Sequence, residues 1–148
     1  MKISTKGRYG LRALVDLAIS SGGEHISLNS IAQRQDVSEN YLEQVFSMLR
    51  KAGIVNSVKG AQGGYLLSDS PSNITVGTIL RALEGNLMIV DESVDDKYLS
   101  HSLEYCVTRN VWDKINNSIL EVVDSITLED LVNEYRRLND NLSLMYYI

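Results

Sequence analysis

Apolar residues recur at helical spacing in three successive segments near the N-terminus, each behind a residue able to cap a helix. Tyr9, Ala13, Leu14, Leu17 and Ala18 define one face of a helix predicted from Ser4 to about Ser20, with Gly22 and Gly23 as its stop. Ser27 caps a short second helix through Gln35 that buries Leu28, Ile31 and Ala32, and Ser38 caps a third after the tight turn at Asp36-Val37. The third helix, Glu39 to Ala52, sets Leu42, Val45, Phe46 and Leu49 inward and ends at Gly53, which leaves Glu39, Asn40, Glu43, Ser47 and Arg50 outward. The period then changes. Residues 54–58 and 65–68 are rich in β-formers, and Lys59-Gly60-Ala61-Gln62-Gly63-Gly64 between them reads as the flexible tip of a hairpin.

Pro71-Ser72-Asn73 breaks the chain before a helix from Thr75 to Gly85, carrying Val76, Ile79, Leu80 and Leu83. A first unit of residues 1–85 is therefore predicted, with residues 86–148 as a second. The stretch 86–104, holding Asp91, Glu92, Asp95 and Asp96, lacks an apolar period and reads as an acidic loop. A long helix from about Val107 to Ser125 follows, with Trp112, Ile115, Ile119, Val122 and Ile126 spaced as a two-heptad seam. Such a seam fits either a helix packed within its own chain or the interface of an isologous dimer. Thr127-Leu128-Glu129-Asp130 resembles a capping box opening a last helix with Leu131, Val132, Tyr135 and Leu138, beyond which Tyr146, Tyr147 and Ile148 form a tail. The fold class is mainly α with one small β-hairpin, in the order of a winged helix-turn-helix plus a long dimerisation helix.

Charge sharpens this picture. The net charge of the 148 residues is -5, yet residues 1–70 carry eight Lys/Arg against six acids, a balance of +2, and residues 71–148 carry six against thirteen, a balance of -7. The front half can meet phosphate and the back half cannot. No apolar run is long enough to span a membrane, the N-terminal stretch lacks the apolar segment of a signal peptide, and Cys106, the only cysteine, cannot form an intrachain disulfide. A cytoplasmic protein is expected.

In a winged helix-turn-helix the second helix of the pair enters the major groove. On that helix Ser38, Asn40, Tyr41 and Gln44 can donate to phosphates or read base edges, and Glu43 can accept from the cytosine amino group, although a solvated charge also accounts for Glu43. Lys59 supplies a phosphate contact on a wing whose glycines allow close backbone approach. A catalytic reading would use Cys106 as nucleophile with His25 or His101 as base. Neither a nucleotide fingerprint nor a paired metal motif supports it, and no enzyme is expected.

The stretch from Ser38 through Ala52-Gly53-Ile54-Val55, Lys59-Gly60 and Gly63-Gly64-Tyr65, together with the opening residues 1–10 and the segment 126–131, resembles the Rrf2 family of bacterial winged-helix regulators. The resemblance covers most of the chain. It implies a homodimer bound to double-stranded DNA at a palindromic operator, with Ser38, Tyr41, Glu43, Lys59 and Gln62 among the residues touching DNA.

Many members hold a 2Fe-2S cluster on three cysteines six residues apart with a histidine just after. Here Cys106 stands at the third cysteine, Val94 and Ser100 at the first two, and Arg109 at the histidine, so no cofactor is expected. Cys106 is left as either a buried remnant or a redox-sensing thiol, and a redox- or iron-sulfur-responsive regulator is the alternative within the family. The likeness is greatest to cluster-free repressors of cysteine metabolism, which share the Tyr-Ile ending. For these the resemblance implies a complex with O-acetylserine sulfhydrylase, joined through Tyr147 and Ile148; a tail packed on its own domain is the other reading.

Overall fold

The computed structural model describes residues 1–91 and 101–147, including the side chains of all but Ser143, Tyr146 and Tyr147. The expected acidic loop therefore lies partly outside the described residues, as do Val94, Ser100 and Ile148. The order of elements is α1 (Thr5–Ser20), α2 (Leu28–Gln35), α3 (Glu39–Lys51), β1 (Val55–Val58), β2 (Gly64–Leu67), α4 (Val76–Glu84), α5 (Leu103–Val107), α6 (Asp113–Ser125) and α7 (Leu128–Tyr147).

Local chemistry sets most of these boundaries. Ser4, Ser27, Ser38 and Thr75 each take extended backbone and accept a hydrogen bond from the amide three residues on, satisfying a donor that the first helical turn leaves open. Asp36 stands in the left-handed region at φ 54° and turns the chain between α2 and α3, while Gly53 at φ 78° ends α3. At the start of α7, Thr127 Oγ1 accepts from the Asp130 amide and Asp130 Oδ2 accepts from the Thr127 amide, a reciprocal box closed by aspartate.

Helices α1–α4 and the hairpin enclose the main core, in which Leu14, Leu17, Ile31, Leu42, Val45, Phe46, Leu49 and Ile79 are fully buried. The hairpin is antiparallel with Val55 opposite Leu67 and Val58 opposite Gly64. Phe46 anchors it to α3 by meeting Tyr65 at a ring-centroid distance of 5.0 Å. Ile26 bridges to Tyr65 on the other side, and Gly64 is needed for that approach, since a Cβ there would stand 2.3 Å from the Ile26 carbonyl oxygen.

The C-terminal elements close on this body. Val76 donates to the Ile126 carbonyl at 2.8 Å and Leu128 to the Ile74 carbonyl at 2.9 Å. Arg81 on α4 grips Asp124 on α6 through two hydrogen bonds of 2.8 Å. A smaller core of Val76, Leu80 and Leu87 packs against Leu120, Val123, Ile126 and Leu131.

Two boundaries and one packing position differ from the sequence expectation. Helix starts at Leu103, four residues before Val107, under a cap from Ser102. It passes through a π-helical turn at Thr108–Trp112 before α6, and that turn shifts the helical phase and conceals the earlier start from a 3.6-residue pattern. Ile126 leaves the predicted seam and turns into the smaller core. The last helix runs through Tyr147, so Tyr146 and Tyr147 continue α7 instead of forming a free tail.

Candidate nucleic-acid interface

The interface is built from α3 outward. Its buried face, Leu42, Val45, Phe46 and Leu49, fixes the rotation of the helix, and that rotation leaves Asn40, Glu43 and Gln44 exposed on the first two turns. Ser38 is exposed at the cap, its Oγ 3.1 Å from the Tyr41 amide. Asn29 on α2 donates to Glu39 at 3.0 Å and so ties the two helices of the turn together. The wing projects beside them. Lys59 and Gln62 are exposed at its tip, where Gly63 donates to the Gly60 carbonyl at 3.0 Å. His25 Nε2 contacts the Gln62 carbonyl and fastens the tip to the segment before α2.

Tyr41 departs from the exposed role expected of it. Its ring is half-buried against the main core and its hydroxyl is buried with no hydrogen-bond partner among the described residues. Burial, with smaller contributions from Tyr9 and Glu84, holds the phenol above its ordinary pKa. The hydroxyl faces away from solvent, and the ring packs α3 against α1.

Behind the pair of helices, Asp16 is buried and accepts from Arg34 Nη2 at 2.7 Å and Gln35 Nε2 at 2.8 Å. Burial alone would push this carboxyl up. The Arg34 and Gln35 hydrogen bonds and the Arg34 charge outweigh that effect and hold it below the usual carboxylate range. The pair fixes α2, and through the turn α3, against α1.

The long helix has two apolar faces, where the sequence showed a single seam. Leu120 and Val123 pack inward, and buried Asn116 accepts from the Ile89 amide at 2.9 Å and donates to the Val90 carbonyl at 3.0 Å. The predicted seam lies on the other side. Ile115 and Val122 are 38% and 57% exposed, Ile119 and Trp112 are half-buried, and Ile115, Ile119 and Val122 line an open depression of about 440 Å³.

Cys106 is exposed, which corrects the expectation of a buried remnant, and its Sγ lies 3.9 Å from the side-chain Nδ2 of Asn110. Arg109, at the position of the family's histidine, stacks over the Tyr105 ring at 5.4 Å and pairs with Asp113 at 3.4 Å. A guanidinium bears no lone pair for iron, and one thiol in the whole chain does not hold a cluster, so the residues do not fit the family's iron–sulfur group. Among the described residues no group of three His, Cys, Asp or Glu could hold a metal ion, and no helix is long and apolar enough to cross a membrane.

Comparison with known proteins agrees with this architecture. The profile of the Rrf2 family, described as an iron-dependent transcriptional regulator, matches residues 3–134. The transcriptional regulator CymR of Bacillus subtilis is 47% identical over 90% of this chain and 91% of its own length. The regulator IscR of Pectobacterium atrosepticum is 38% identical over 94% of this chain and 84% of its own. Among solved structures, CymR of B. subtilis, called the global cysteine regulator of that organism, superposes with a TM-score of 0.75 at 45% identity, covering 90% of this chain and 98% of that one. Oxidized CymR of Staphylococcus aureus does so with a TM-score of 0.68 at 39% identity, covering 89% and 96%. With its winged helix-turn-helix matched over most of its length by proteins named as transcriptional regulators, this chain is a CymR-like member of the Rrf2 family of transcriptional regulators.

Proposed function

We propose that the protein is a repressor of cysteine-metabolism genes that binds a palindromic operator as a homodimer. The observation that carries this reading is the exposed row Ser38, Asn40, Glu43 and Gln44 on α3 beside a wing presenting Lys59 and Gln62. In this reading α3 lies in the major groove, with Asn40 and Gln44 suited to adenine and Glu43 to cytosine. Lys59 meets a phosphate, and Gln62 follows the wing along the backbone. Residues 1–85 supply the DNA-binding unit. Residues 86–148 supply the dimer through Trp112, Ile115, Ile119 and Val122, whose exposed apolar face a second copy would cover. The cysteine targets are taken from the likeness to CymR.

The segment Tyr147–Ile148 is proposed to bind O-acetylserine sulfhydrylase by offering an apolar side chain to the enzyme's amino-acid pocket.

A second reading concerns the signal. Cys106 is exposed next to the long helix, and a relative has been crystallised in an oxidized form, both of which favour a thiol that senses oxidation. Affinity capture from native cytoplasm, with identification of the DNA fragments and proteins retained, tests target genes and partner together. Retention of cysteine-gene promoters and of the sulfhydrylase is the expected result, and promoters unrelated to sulfur chemistry would overturn the assignment.

A further inference from the structure

Four cations, Lys2, Lys6, Arg8 and Arg12, fall within the first twelve residues, and no acidic residue accompanies them. The interface on α3 and the wing uses none of them. The fold nevertheless brings this stretch to the start of α3. Tyr9 meets Tyr41 with ring centroids 6.3 Å apart, and a Cβ on Gly10 would stand 3.1 Å from Val45 Cγ1. Arg12 lies 4.7 Å over the Tyr9 ring and donates to the Gln35 carbonyl at 3.1 Å. Lys2 and Arg8 are exposed, and Lys6 is half-exposed.

Two of the backbone amides at the start of α1 are engaged by a carboxylate. Glu84 on α4 accepts from the Ser4 amide at 3.0 Å and the Gly7 amide at 3.1 Å. With the Glu84 carboxylate at this end, an anion arriving here would be held by the side-chain cations and not by the helix terminus.

We infer that the N-terminal arm and first turn of α1 form a third DNA contact, in which Lys2, Lys6 and Arg8 hold backbone phosphates flanking the half-site read by α3. This rests on the DNA-binding reading proposed above. Lys2 and Lys6 are flexible point charges without the fork geometry that reads a base edge, so these two contacts supply affinity and placement and carry no sequence preference. Arg12, committed to Tyr9 and Gln35, is a positioning residue that ties α1 to the end of α2.

The test is a salt titration of DNA binding by the full chain. The probes are a duplex selected by the wild-type protein from a random pool and a scrambled duplex of equal length. In the variant Lys2→Gln/Lys6→Gln the slope of log affinity against log salt should be shallower by about 0.9 for each phosphate no longer neutralised. Affinity should fall by the same factor on both duplexes. Lys2→Arg/Lys6→Arg should restore both, Arg136→Gln on α7 should change neither, and the thermal midpoint should stay put. A variant slope equal to wild type, or a weakening confined to the selected duplex, would overturn the arm while leaving the α3 reading standing. Wild-type protein that binds neither duplex would overturn both.

Discussion

Tyr9 on α1 and Tyr41 on α3 meet edge to face, their rings 6.3 Å apart and inclined at 87°. The contact uses a side chain that its position on the recognition helix would assign to DNA, and it leaves the Tyr41 hydroxyl buried and unpaired among the described residues. Tyr41→Phe removes a desolvated hydroxyl and keeps the ring. Thermal stability should hold or rise, by up to about 1–3 kcal/mol, the cost of one unsatisfied buried polar group. DNA affinity should be unchanged. A Tyr41→Phe variant with weakened DNA binding would return the hydroxyl to the interface.

The Asp16–Arg34 pair makes stability depend on pH. The Asp16 carboxyl titrates lower in the folded protein than its ordinary value of 3.8, so its contribution is present above that pH and is lost as pH falls through the folded value. Asp16→Asn should lower the urea midpoint at pH 7 by the equivalent of about 1–3 kcal/mol. The gap between variant and wild type should shrink on acidification below the ordinary aspartate range. A gap that stays constant with pH would assign the effect to packing alone.

On the outer face of α6, Ile119→Glu would place two like carboxylates in one apolar interface. Light scattering should then show monomer where the wild type shows dimer. Without the second half-site, operator binding should weaken by a factor on the order of 10² or more, the gain that linking two sites provides. A wild-type monomer at the concentrations used for DNA binding would contradict the assignment of this face.

At the C-terminus, deletion of Tyr147 and Ile148 should abolish pull-down of O-acetylserine sulfhydrylase while folding and dimerisation persist. O-acetylserine should compete with the intact chain for the enzyme, because both would occupy one pocket. Capture that survives the deletion would move the partner's docking site elsewhere.

Short-range chemistry made much of the fold readable in advance. Ser4, Ser27, Ser38, Thr75 and the Thr127–Asp130 box each announce a helix within four residues, and Gly53 and Gly85 each mark a stop. What escaped was set by tertiary contact or by a break in period. The π-helical turn at Thr108–Trp112 hid the start at Leu103, and Asn139-Asp140-Asn141, weak helix formers, disguised the continuation of α7 through Tyr147. The exposure of Ser38, Asn40, Glu43 and Gln44 follows from the apolar face of α3. The burial of Tyr41 depends on Tyr9, thirty-two positions away, and the exposure of Cys106 depends on what its helix packs against, and neither is written in local pattern.

The role of the wing separates from that of α3 by the kind of weakening each variant shows. Lys59→Ala should weaken binding to all duplexes alike and reduce the salt slope by about 0.9. Equal slopes for this variant and the wild type would remove Lys59 from the phosphate contacts.

The most direct test of DNA reading by α3 is selection of bound duplexes from a random pool by the wild-type protein and by Glu43→Ala, read by sequencing. The wild type should enrich a palindrome with half-sites one helical turn apart. Glu43→Ala should keep that spacing and lose the preference at the base pair it contacts, a discrimination of about 1–3 kcal/mol. Enrichment of no palindrome by the wild type, or an identical preference for both proteins, would contradict it.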